Sequence, residues 1–171
     1  MVKNLHKGLA LICLSSLIAS GTYANETPIN GTVQSRCIIQ TDSAGTFGNP
    51  NAYTLTTAAA SGGEKSVIRI DVSLADAYYA QITAPSSFSS SPNLPDVVTW
   101  TGDTTVKSVS DSSGMGSYET GKVEIGMMDR YDLTATGSTW FETSSVAVMG
   151  GNKAFPGGNY TAIVEAECIA Q

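Results

Sequence analysis

Ser66-Val67-Ile68-Arg69-Ile70-Asp71-Val72-Ser73-Leu74 alternates without a break. Ile68, Ile70, Val72 and Leu74 fall on one face of an extended chain; Arg69, Asp71 and Ser73 fall on the other. Strand side chains point alternately to two faces, so this period of two predicts a half-buried strand. The same period returns at both ends. Ile29, Gly31, Val33, Ser35, Cys37 and Ile39 alternate near the start. Tyr160, Ala162, Val164, Ala166 and Cys168 share a face near the finish, opposed by Thr161, Glu165 and Glu167. Shorter strand candidates are 52–57, 77–83, 96–101, 104–110, 118–126, 129–135 and 140–148. Turn-forming clusters separate them, among them Gly48-Asn49-Pro50-Asn51, Ser61-Gly62-Gly63, Gly102-Asp103, Ser112-Ser113-Gly114 and Pro156-Gly157-Gly158-Asn159. Residues 71–80 offer at most one helical turn, and no long helical period competes. Strands at this spacing predict an all-β sandwich or barrel in one domain.

The first 24 residues read as a secretory signal peptide. Lys3, His6 and Lys7 make a basic start, Gly8 to Ala19 is mostly apolar, and Thr22-Tyr23-Ala24 offers a small-residue cleavage site. A run of about 12 residues is too short to cross a bilayer as a helix. The expected mature domain is 25–171. With Lys3 and Lys7 gone, nine basic residues become seven, against fifteen acidic ones. A chain this acidic, with no basic stripe, predicts no nucleic-acid partner and no affinity for anionic lipid.

Cys37 and Cys168 remain after the leader is removed. A pair of cysteines in an exported protein predicts a disulfide, with two buried free thiols as the alternative. Both fall on the apolar faces of alternating strands. A bond between them would staple two sheets together, as in an immunoglobulin-like sandwich. Neither belongs to a C-x-x-C pair, and two cysteines without histidine make no structural zinc site.

Catalytic chemistry finds little material. The only histidine is His6, in the leader, so no Ser-His pair is available and no Gly-x-Ser-x-Gly elbow occurs. Lys65, Lys107, Lys122 and Lys153 are candidates for a Ser–Lys pair, but no spacing singles one out. Gly116 to Lys122 matches half of a phosphate-binding loop, then fails at Val123, where Ser or Thr would hold magnesium. Asp129 and Asp132 face opposite sides of a strand, poor geometry for paired acid–base work; they read as an exposed strand start. No aspartate run has the calcium-loop pattern. The expectation is no enzyme, no cofactor and no metal. Trp100, Trp140, Phe141, Tyr78, Tyr79 and Phe88 are candidates for an aromatic sugar platform, although Trp100 reads more simply as a core residue.

Taken together, the order of parts resembles a known family. A signal peptide precedes an alternating strand. A Gly/Asn-rich β domain follows, with a central Val98-Thr99-Trp100-Thr101-Gly102. Then Pro156-Gly157-Gly158-Asn159-Tyr160-Thr161-Ala162-Ile163-Val164 leads into the last strand. This resembles fimbrial subunits (pilins) of the bacterial chaperone–usher class, most nearly the colonisation-factor-type major pilins. The resemblance implies an incomplete immunoglobulin-like sandwich whose missing strand leaves a groove. A periplasmic chaperone would fill it first, and then the amino-terminal extension of the next identical or related subunit, with an outer-membrane usher as a further partner. It implies a donor strand at 25–35 with Ile29, Gly31 and Val33 facing the groove, and a groove edge at Tyr160, Ala162, Val164 and Ala166. Residues 25–35 are equally readable as the domain's own first strand. The expected function is a structural subunit of a surface fimbria with a role in adhesion to a host or surface receptor. The alternative is a self-complete secreted sandwich that binds carbohydrate or another surface ligand.

Overall fold

The computed structural model describes residues 36–171. The predicted signal peptide and the predicted donor residues Ile29, Gly31 and Val33 lie outside the described residues. Twelve strands and one short helix follow in order. They are β1 (Cys37–Ser43), β2 (Gly48–Asn51), β3 (Thr54–Thr56), β4 (Ser66–Val72), β5 (Tyr78–Thr83), β6 (Phe88–Ser90) and β7 (Val98–Val109). Then come α1 (Ser112–Met115), β8 (Val123–Ile125), β9 (Met128–Asp132), β10 (Gly137–Met149), β11 (Thr161–Ala162) and β12 (Glu165–Ala170).

All the pairings are antiparallel. In the larger sheet β10 is the spine. It pairs along one side with β7 and along the other with β4 and then β3; β1 flanks β4 and β2 flanks β3. The second sheet runs β12-β5-β9-β8, and β6 and β11 form a separate ribbon. The fold is the expected all-β sandwich.

Alternation decides which faces meet. Ile68, Ile70 and Val72 of β4 and Phe141 of β10 point inward from one sheet; Ala80 and Ile82 of β5 and Tyr131 of β9 point inward from the other. Tyr131 and Phe141 are fully buried, with ring centroids 4.7 Å apart. At that separation the two sheets are in direct aromatic contact across the core. Leu74, placed on the same face by the pattern, is exposed instead, because β4 ends at Val72. Asp111 caps α1 by accepting from the Ser113 N–H at 2.9 Å, and the helix delivers Met115 into the same core.

Several local expectations are corrected. Gly102-Asp103 is not a turn: β7 runs through both residues. A glycine is needed at 102 because a Cβ there would lie 2.5 Å from the Ala84 Cβ. The glycine marks a close approach within a strand rather than the end of one. The 118–126 candidate shrinks to β8, three residues long. The 71–80 region makes no helical turn; the chain reverses between β4 and β5 with Asp76 at a φ of 57°, a left-handed conformation that aspartate tolerates better than most residues. The final strand is not continuous. Thr161–Ala162 pairs with β6 and Glu165–Ala170 with β5, so the alternation survives while the pairing partner changes.

Cys37 and Cys168 are disulfide-bonded, with Cα atoms 6.2 Å apart. The bond runs from β1 of one sheet to β12 of the other, on inner faces packed against the core. It closes a loop with a sequence separation of 131 residues. Replacing both cysteines by alanine is expected to lower unfolding stability by about 2–5 kcal/mol. The measurement is a urea titration of both forms without reductant, and an unchanged midpoint would count against a stabilising staple.

Candidate functional site

A sandwich has edges as well as faces, and edge amides and carbonyls need partners. β7 lies at one edge of the larger sheet, bonded to β10 on one side only. Its other side is closed by side chains. The Thr104 N–H donates to Asp129 Oδ2 at 2.7 Å and the Val106 N–H to Glu119 Oε2 at 2.7 Å. The Thr104 carbonyl accepts from the Tyr131 hydroxyl and from Lys122 Nζ.

Lys122 is the hub of this seal. Its side chain is only 9% exposed. Its ammonium lies 2.6 Å from Asp103, 2.9 Å from Glu124, 3.9 Å from Asp129 and 4.0 Å from Glu119. Burial opposes the charge on Lys122. Hydrogen bonds to Asp103 and Glu124, and the nearby Asp129 charge, outweigh that and hold its pKa above the ordinary lysine range. Asp129 moves the other way for a carboxylate. Burial raises its pKa against the opposing pull of the Thr104 N–H and Lys122. Burial, reinforced by the charges of Glu119 and Asp129, also pushes the Tyr131 hydroxyl up. The oxygens of Asp103, Glu124 and Asp129 lie within 4.8 Å of one another, and the Lys122 ammonium among them offsets part of their charge.

This corrects one expectation. Asp129 is buried at 4% exposure, not at an exposed strand start. Lys122, at the end of the rejected phosphate-loop match, is a structural counter-ion. Lys65 and Lys153 are also paired to carboxylates, Glu142 at 2.6 Å and Asp96 at 3.0 Å.

The opposite side of the sandwich is different. β1 pairs only with β4, and β12 only with β5. Among the described residues no strand pairs with the other edge of either. Cys37 opens β1 and Cys168 lies near the end of β12, so the disulfide ties these edges together at one end. Further along, toward Ser43 and Ala162, the space between them is a groove of about 330 Å³. Its lining includes Ile68, Thr143 and Ser145 from the larger sheet and Ala162, Ile163 and Val164 from the other side. Ile163 is 57% exposed and Ile39, on the inner face of β1, is 37% exposed. Apolar side chains therefore border a cleft whose backbone edges are unpaired among the described strands.

The predicted edge residues distribute along this feature. Ala162 and Val164 line the groove. Ala166 and Cys168 follow on the inner face of β12, packed against the core. Tyr160 lies before β11 and borders a separate, adjoining cleft. The aromatic candidates do not form one platform. Phe141 is core. Trp140 turns outward, with the Arg69 guanidinium 5.9 Å from its ring and its Nε1–H donating to Asp42 at 3.2 Å. Tyr79 lies beneath Arg130 at 4.7 Å. Trp100 and Phe88 belong to a ring cluster with Tyr160, predicted as a groove-edge residue, and with Phe47 and Phe155, two residues that no periodic pattern singled out.

The chain matches no family model, no curated protein and no solved structure.

Two variants test the sealed edge. Lys122→Met is expected to cost about 3 kcal/mol, the low end for leaving a buried charge uncompensated, because Asp103 and Glu124 remain open to water. For Asp129→Asn the sign follows from its raised pKa. The folded state takes up this proton before the unfolded state does, so Asp129 favours folding more as pH falls through its folded pKa. The stability of the native protein minus that of Asp129→Asn is therefore expected to rise as pH falls from neutrality toward the ordinary carboxylate range, measured by urea unfolding at each pH. A native-minus-variant difference that falls on acidification contradicts this.

Proposed function

We propose that the chain is a structural, non-catalytic subunit of a bacterial surface fimbria, assembled by β-strand complementation at the groove between β1 and β12. The observation that carries this reading is the contrast between two sides of one sandwich. At β7, four side chains from the neighbouring sheet and loop close the edge. At β1 and β12, among the described residues, no backbone partner closes it. Proteins normally blunt such edges, and an edge left over an apolar groove is suited to receiving an added strand.

In this reading Ile29, Gly31 and Val33 supply the added strand from a neighbouring subunit. Alternate residues of a strand recur about every 7 Å and point to one face, so the three would enter the groove together while their backbone pairs with β1 and β12. The disulfide would hold the two edges at a fixed separation at one end. Before assembly the groove needs a temporary occupant, which is the part of a periplasmic chaperone; an outer-membrane usher is the further partner in assembly. The predicted signal peptide and the disulfide accord with export to an oxidising compartment. The mature chain's lack of histidine accords with a role in contact rather than catalysis.

Expressed without a chaperone, the mature protein is expected to form ladders that persist in SDS until boiled. A form lacking residues 25–35 should remain monomeric, keep its strand content by circular dichroism, and take up a synthetic peptide of residues 25–36. A native protein that runs as a plain monomer, together with a truncated form that ignores the peptide, would leave the self-complete sandwich as the better account.

A further inference from the structure

Beside the groove lies a second concavity, about 620 Å³ in volume. It adjoins the groove at Gly45–Phe47 and Thr161–Ala162, but its remaining walls are its own. We propose that this cleft binds an uncharged oligosaccharide. The inference does not rest on strand exchange; it follows from what lines the cleft.

Three aromatic side chains, Phe47, Phe155 and Tyr160, face it. They are held from behind. Phe88 sits 5.1 Å from Tyr160, 6.0 Å from Phe155 and 6.2 Å from Phe47, and 4.6 Å from Trp100. Phe155 and Tyr160 pack edge to face at 5.4 Å. Rings braced in this way lose little further freedom when a ligand stacks on them, which favours binding. The apolar C–H face of a pyranose is the natural partner for such a ring.

The polar groups are neutral. No lysine, arginine, aspartate or glutamate lines the cleft, in a chain where 14% of residues carry charge. The carboxamides of Asn49 and Asn159 and the hydroxyls of Thr46 and Thr161 are present instead. Asn49 donates one N–H to the Thr54 carbonyl at 3.3 Å, which leaves its oxygen and second N–H for a ligand. The Tyr160 hydroxyl donates to the Pro156 carbonyl, which fixes its ring and leaves its lone pairs as acceptors. Gly157 and Gly158 add backbone without side-chain bulk. Neutral donors and acceptors around aromatic faces suit vicinal hydroxyls. Nothing in the lining counters a carboxylate or a sulfate. The volume lies within the range of small-ligand sites and holds two or three sugar rings.

The test uses the disulfide-bonded mature protein on an array that carries neutral glycans beside their sialylated and sulfated counterparts. Retention of at least one neutral glycan is expected, with no gain from added acidic groups. Phe155→Ala should weaken the retained glycan more than tenfold, measured by calorimetry. Asn49 and Asn159 are exposed, so Asn49→Ala and Asn159→Ala should fold normally, and each should weaken it about fivefold. Trp140→Ala, on the outer face of the larger sheet, should change nothing. In the form lacking residues 25–35 the glycan should also bind when the peptide of residues 25–36 is present in excess. Failure to retain any neutral glycan, retention of acidic glycans only, indifference to both asparagine variants, or displacement of the glycan by the peptide would each overturn the proposal.

Discussion

Backbone amides and carbonyls at the edge of a sheet must find partners, and this sandwich meets that demand unequally. Along β7 the partners are carboxylates, a phenol and an ammonium brought in from the other sheet and the loop before it. The arrangement is costly in isolation, since Asp129 and Lys122 are both largely buried. It holds because each charge answers another and each also bonds to the backbone. Along β1 and β12 no comparable side chains intervene among the described residues. The same fold therefore has one edge finished internally and one pair of edges left bordering a groove.

The architecture was legible in the sequence where alternation is strict. Ile68, Ile70 and Val72 read as one inward face, and they are one; Ala166 and Cys168 do likewise on β12. Period-two patterning works there because each strand has one wet and one buried side. It failed where a residue's meaning depends on a distant approach. Gly102 looked like a turn because nothing local announces that Ala84 will press against it. Asp129 looked exposed because its partners Thr104 and Lys122 come from other elements.

The candidate sites were legible only in part. Both cysteines could be assigned to inward faces, and the run from Ala162 to Ala166 could be placed on one side of the last strands. The break between β11 and β12 could not, since residues 160–168 keep their alternation while they change neighbours. Of the ring cluster, Phe88, Trp100 and Tyr160 were named singly, but their meeting with Phe47 and Phe155 was hidden. Phe47, Phe88, Trp100, Phe155 and Tyr160 come from separate stretches of chain and share no spacing; only the meeting of loops at one end of the sandwich unites them.

The position of the disulfide governs how the molecule bears load. Cys37 and Cys168 lie close to the two ends of the described chain, and the 131-residue separation between them falls inside the covalent loop. A pull on Arg36 and Gln171 is therefore transmitted through sulfur, and only the short tails outside the bridge can lengthen. The sheets are bypassed rather than peeled strand by strand. Stretched between Arg36 and Gln171, an oxidised molecule behaves as a nearly inextensible link, while a reduced one would yield the whole contour between them.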